Sequence, residues 1–142
     1  MYESGAINPN DVRSIDVAEK LYSQIRRRKT DYINVARNTM LSLEQCKIVK
    51  NYIFYDRHEL SDGYKQFLPD IMMAQSWLRL SEKNGNNIQR HDVIMLYHEL
   101  TEISLLIHNT NISQRQAHNL AESMHNYLQA AKKYYRSLGI YI

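Results

Sequence analysis

Cysteine is almost missing from this sequence: a single thiol, Cys46, leaves no second sulfur with which to close an internal disulfide. That excludes a disulfide-stapled secreted scaffold and fits a reducing compartment. Lying on an apolar stripe, Cys46 is expected to pack as a small buried hydrophobe. Long hydrophobic runs are lacking too. Arg, Lys, Glu or His breaks every apolar stretch within about eight positions, well short of the roughly 18 to 20 residues a membrane span needs. Met1 to Asn10 carries an acidic residue and no apolar block behind a basic start, so it does not read as a secretory signal. The expectation is a water-soluble, cytoplasmic protein with no membrane partner.

Glycine and proline are scarce, four and two in 142 residues, and they stand between periodic segments rather than inside them. Such a chain reads as helical. Hydrophobic residues at 44% and charged residues at 23% are close to globular averages, which excludes wholesale disorder, and the length suits one domain. The net charge of +3 is too small to establish a nucleic-acid partner. It is concentrated, however, in four consecutive cations, Arg26, Arg27, Arg28 and Lys29. At a helix end such a run complements the macrodipole, and it also offers phosphates a patch to bind.

Apolar periodicity predicts helices over about 15–28 and 31–39, the second capped by Thr30. Ser42 and Gln45 have capping-box spacing and open a third helix to about Tyr55. Residues 56–67 read as a loop or turn with a short extended piece. Pro69 fits the first position of a fourth helix that runs to about Glu82, and Gly85 follows its end. A fifth spans about His91 to His108. A sixth starts after Ser113, boxed with Gln116, and continues to about Leu138. No long-period repeat is present. The fold expected is all-α: residues 1–142 as a single compact bundle of about six helices, with residues 1–12 a loose lead-in.

The fifth helix departs from simple amphipathicity. At about 100° per residue, Tyr97, Leu100, Ile103 and Ile107 form an apolar face. His91, Met95, His98, Glu102 and Leu105 gather opposite, flanked by Glu99 and Leu106. Interleaving apolar residues with imidazoles and carboxylates predicts that this second face is covered as well. A shielded His and Glu four residues apart can bond each other and shift each other's proton affinity, either as a helix-orienting pair or as a functional site. His98-Glu99-Leu100-Thr101-Glu102 lacks the second imidazole of H-E-x-x-H, although His118 or His58 would complete a ligand set. No metal and no cofactor is expected.

Two resemblances extend these readings. Ile33 to Tyr52 is similar to a helix-turn-helix, with Met40 standing where that motif places glycine. The resemblance makes Glu44, Gln45, Lys47 and Lys50 the exposed positions of the second helix, with Gln45, Lys47 and Lys50 placed to meet bases or phosphates. The longer one covers residues 17–135: Asn34 to Thr39, Ile53-Phe54, His58, Phe67 to Asp70, Ala74, Trp77, Arg79, Leu80, Asp92, Leu96, His98-Glu99, Glu102, Ala117-His118 and Ala121. This succession resembles a helical domain at the C-termini of phage head-morphogenesis and polymorphic-toxin proteins. That resemblance implies a mobile-element or conflict setting, where such modules are often nucleases. If His58, Arg79, His98, Glu99, Glu102 and His118 converge, they supply acid, base and anion stabiliser for metal-free RNA cleavage. The alternatives are a non-enzymatic helix-turn-helix binder of nucleic acid, or a module docking a protein partner or second copy through Tyr127, Tyr134, Tyr135 and Tyr141.

Overall fold

Several helix starts in this chain follow capping side chains, although Thr30, expected to cap the second helix, makes no side-chain capping hydrogen bond there. The computed structural model describes residues 7–142, and within them seven helices and one hairpin are formed. The helices are α1 (Ser14–Arg27), α2 (Asp31–Thr39), α3 (Leu43–Phe54), α4 (Ile71–Leu80), α5 (Arg90–His108), α6 (Gln114–Met124) and α7 (Tyr127–Ser137). The reciprocal box of Ser42 and Gln45 opens α3, and that of Ser113 and Gln116 opens α6, as the spacing predicts. The fold is thus mainly helical, with more than the expected six helices. No helix among the described residues is long and apolar enough to cross a membrane.

Four further expectations are corrected. Pro69 is not the first helical residue, because Asp70 behind it caps α4 by accepting from the backbone N–H groups of Met72 and Met73, at 2.8 and 3.1 Å. The fold is not wholly α. Strands β1 (Arg57–Leu60) and β2 (Gly63–Gln66) pair antiparallel around a tight turn, with Gly63 at φ +133°. The long last helix is split at His125 and Asn126. The Asn126 side chain accepts from the Gln129 N–H and starts α7 afresh, a competition with helix continuation for which Asn is suited. Finally, residues 7–12 of the lead-in are tied down: Ile7 N–H donates to Gln75 Oε1 at 3.2 Å, and the Asn10 amide donates to the Tyr141 carbonyl at 2.9 Å. The remainder of that lead-in, residues 1–6, lies outside the described residues.

One hydrophobic cluster runs from Tyr22 in α1 to Ala131 in α7. Trp77 is a fully buried member of it, edge-on to Phe54 at 5.8 Å, and its indole N–H donates to Asp31 Oδ2 at 2.9 Å. Cys46 packs here as expected, and burial pushes its thiol up. Between α2 and α3, Met40 adopts the left-handed conformation at φ +65°, with its side chain in solvent. Helix α5 packs against α3, α4, α6 and α7. This covering decides which of its faces is wet. His91, Met95, His98, Glu99 and Glu102 are buried, whereas Tyr97 and Ile107 of the apolar face are exposed. The polar face takes the interior because its groups bond one another and their neighbours there.

Candidate active site

His98 and Glu102 lie one turn apart on α5, so their side chains project to the same side, where α6 crosses and delivers His118. Three atoms meet: His98 Nε2 is 3.1 Å from Glu102 Oε2 and 3.3 Å from His118 Nδ1, and His118 Nδ1 is 3.3 Å from Glu102 Oε2. Their outward atoms are occupied. His98 Nδ1 faces the His125 carbonyl at 3.3 Å and the Glu122 carboxylate at 3.4 Å. Glu102 Oε1 accepts from the Tyr52 hydroxyl and the Gln114 amide, both at 2.6 Å, and that amide also donates to the Tyr52 oxygen. His118 Nε2 is 3.9 Å from Glu122. His98 and Glu102 are enclosed, while the His118 side chain is 54% exposed and forms the cluster's open side.

The electrostatics follow from burial and partners. Burial works against the charged form of His98, but the hydrogen bond it donates to Glu102 and the nearby carboxylates outweigh it and raise its pKa. Glu102 is the reciprocal case. Burial raises it, yet the bonds from His98 and Tyr52 prevail and hold it below the usual carboxylate range. Glu99 is buried too, its carboxyl with no hydrogen-bond partner among the described residues. Desolvation, and then the adjacent Glu102 charge, push its carboxyl up, so protons are divided unequally between the two. Burial and the Glu102 charge also push the Tyr52 phenol far up, which keeps it a donor to Glu102.

Of the six residues predicted for catalysis, three therefore converge, and Glu99 lies behind them. The other two have other duties. Arg79 gives two 2.8 Å hydrogen bonds to Asp92 and a third, at 3.1 Å, to His91 Nε2. Asp92 lies ten residues before Glu102 on α5, about 15 Å along the axis. His58 Nε2 bonds the Tyr52 carbonyl at 2.8 Å and its ring stacks on Phe67 at 3.9 Å, so it braces the Tyr52 backbone. Burial without solvent access rewards polar side chains that saturate each other, and both residues do so away from the cluster.

The basic residues also divide. Arg26 donates to the Phe54 carbonyl at 2.6 Å and to Gln66 at 3.2 Å, while Arg27, Arg28 and Lys29 are exposed. Lys47 is exposed, but Lys50 is buried, paired with Asp31 at 2.5 Å and bonded to the Arg28 carbonyl. A nucleic-acid contact for Lys50 is thereby corrected. The buried Asp31 carboxylate demands a cation, and Lys50 supplies it. Tyr127 and Tyr135 of the expected docking surface are likewise inside, with only Tyr141 freely exposed.

Sequence reasoning missed Tyr52, Gln114, Glu122 and the His125 carbonyl. Glu122, four residues after His118, was accessible from helical spacing. A second omission is a groove of about 930 Å³ between the start of α5 and α7. Arg90, Lys132, Lys133 and Arg136 line it, none of its lining residues among those described is acidic, and its end is the His125–Asn126 corner. The buried Tyr134 hydroxyl beside it has no hydrogen-bond partner among the described residues. No family model matches the chain, and no curated protein or solved structure is detectably similar to it.

Proposed function

We propose that this chain is a hydrolytic domain that cleaves a phosphodiester polyanion, RNA in the first instance, with His98, Glu102 and His118 as its reacting centre. The observation that carries the reading is the convergence of those three groups in a shielded polar pocket with one open side at His118. The carboxylate of Glu102, fixed by Tyr52 and Gln114, orients the His98 ring. A water molecule or ribose hydroxyl arriving at the open side meets nitrogens placed to take its proton. The phosphate charge is met by the cations of the α5–α7 groove, which reaches the His125 corner of the same cluster. A phage- or toxin-associated effector role is the biological side of the proposal.

The mechanism differs from that anticipated for six converging residues. Acid and base on opposite sides of a phosphorane need donor atoms roughly 6 Å or more apart, since two hydrogen bonds of about 2.8 Å must fit between them. His98 Nε2 and His118 Nδ1 are 3.3 Å apart, so they act on one side, as a unit. Arg79, engaged with Asp92, takes no part.

Purified full-length protein incubated with end-labelled RNA and DNA of one sequence tests the reading. Shortening of RNA is expected, slowed at least about a hundredfold in His98→Ala and His118→Ala. Intact polymers after prolonged incubation with wild type would sink it. A second reading, binding without cleavage, is favoured by one observation: Arg28, Lys29 and Lys47 line a small cleft of about 220 Å³ with Tyr32 and Tyr55. Retarded but uncut strands in the same assay would put that reading in its place.

A further inference from the structure

We infer that His98 Nε2, Glu102 Oε2 and His118 Nδ1 are the three protein ligands of a divalent transition-metal ion of the zinc class, with a fourth position open to solvent beside His118. The inference deepens the hydrolytic reading above and concerns the same residues, and it sets aside the sequence expectation of no metal.

Three observations point to it. The edges of the ligand triangle are 3.1, 3.3 and 3.3 Å. With metal–ligand bonds of about 2.05 Å, such edges subtend roughly 98° to 107° at an ion seated just outside the plane of the triangle, near the tetrahedral angle. An octahedral face would need edges of about 2.9 Å for the same bond length. No side chain has to move far for an ion to enter.

The second observation concerns the outward atoms. An imidazole ligates through the nitrogen that carries no hydrogen, and a partner at the other nitrogen fixes which one that is. His98 Nδ1 points at the His125 carbonyl and at Glu122, both acceptors, so a proton placed there leaves Nε2 as the inward lone pair. Glu122 also lies on the outer side of His118, nearest Nε2, which leaves Nδ1 facing inward. Glu102 keeps Oε2 for the centre because Tyr52 and Gln114 donate to Oε1. His98 and Glu102 thus have the outer partners that metal-bound side chains characteristically have, and Glu122, 3.9 Å away, is the acceptor nearest the outer nitrogen of His118.

The third is the identity and count of the ligands. Two imidazoles and one carboxylate suit zinc and its neighbours, whereas calcium and magnesium prefer all-oxygen sets. Three protein ligands with one open side is the pattern of sites that bind and activate water, and the half-exposed His118 marks that side. The site would supply a metal-held hydroxide to the phosphodiester without a second base across the phosphorus.

The test uses the full chain freed of metal by chelation and dialysis, then titrated with Co²⁺ as spectroscopic probe and with Zn²⁺ in competition. One equivalent of Co²⁺ is expected, with the intense visible absorption of four-coordinate cobalt, displaced by one equivalent of Zn²⁺. His118→Ala, at a half-exposed position, should keep the wild-type circular dichroism and weaken binding tenfold or more. Tyr52→Phe, which removes a donor to Glu102, should weaken it about tenfold to a hundredfold. Absence of a stoichiometric cobalt spectrum in wild type, or unchanged affinity in His118→Ala, overturns the inference. RNA cleavage that persists undiminished in chelator, with no metal bound, overturns it and leaves the hydrolytic reading standing. Stoichiometric metal without cleavage upholds it and removes that reading.

Discussion

His91 is 1% exposed, set among the rings of Tyr127, Tyr134 and Tyr135 and beside the Arg79–Asp92 ion pair. Arg79 donates to its Nε2, so that nitrogen carries no proton, and Asp92 Oδ1 lies 3.3 Å away. Desolvation outweighs the attraction of Asp92, and with the repulsion of Arg79 it brings the imidazole pKa down from 6.5 to about 4. Between those values the unfolded chain binds a proton that the native chain refuses. Stability therefore rises with pH across that window and is lost as pH falls from 6.5 towards 4. Denaturant melts at pH 7.5 and 4.5 should show wild type losing roughly 2 to 3 kcal/mol more than His91→Phe, whose ring does not titrate. Equal losses in the two proteins would refute this account. The same residue scale explains why part of the site was unreadable. Arg79, His58 and Lys50 have the chemistry of a nucleic-acid enzyme, but each satisfies a buried neighbour: Asp92, the Tyr52 carbonyl and Asp31. Residue type announces what a side chain can do, and only its tertiary neighbour decides where it is spent.

Elements were legible where capping chemistry was local. The boxes at Ser42 and Ser113 lie within four residues, and so does the His98–Glu102 pair, which is why these features were readable from spacing. The hairpin was legible only as a turn with an extended piece, since strands of four residues carry too little period-two pattern to be distinguished from a loop. The break at His125 was invisible for another reason: the apolar stripe continues through it from Ala121 to Ala131. Yet this break frees the His125 carbonyl to meet His98. Replacing Asn126 by Ala removes the cap that restarts α7 and should cost about 1 kcal/mol, read as a lower urea midpoint, with faster amide exchange at residues 128–130. An unaltered midpoint and unaltered exchange would show that the break has some other origin.

At the scale of the molecule, α5 is wrapped by four other helices, and its better hydrated side is the more apolar one. A sequence reader who assigns the apolar face inward places the site outside; the interleaving of Met95 with His98 and Glu102 is the signal that the second face is enclosed as well. Only the meeting of α6 with α5 brings Gln114, His118 and Glu122 to that face, and separations of 12 to 20 residues between His118 or Gln114 and their α5 partners leave no trace in local pattern. The chain's one tryptophan gives this architecture an optical readout. Trp77 is fully enclosed, and its indole is held by a carboxylate that also anchors Lys50. Native protein should fluoresce at short wavelength, and a red shift should accompany urea unfolding with the same midpoint as far-ultraviolet circular dichroism, because one continuous apolar cluster links that ring to α7. Separate midpoints would divide the cluster into two units. A chain with a solitary, dry indole thus comes with its own unfolding reporter, and no dye or label has to be attached to follow it.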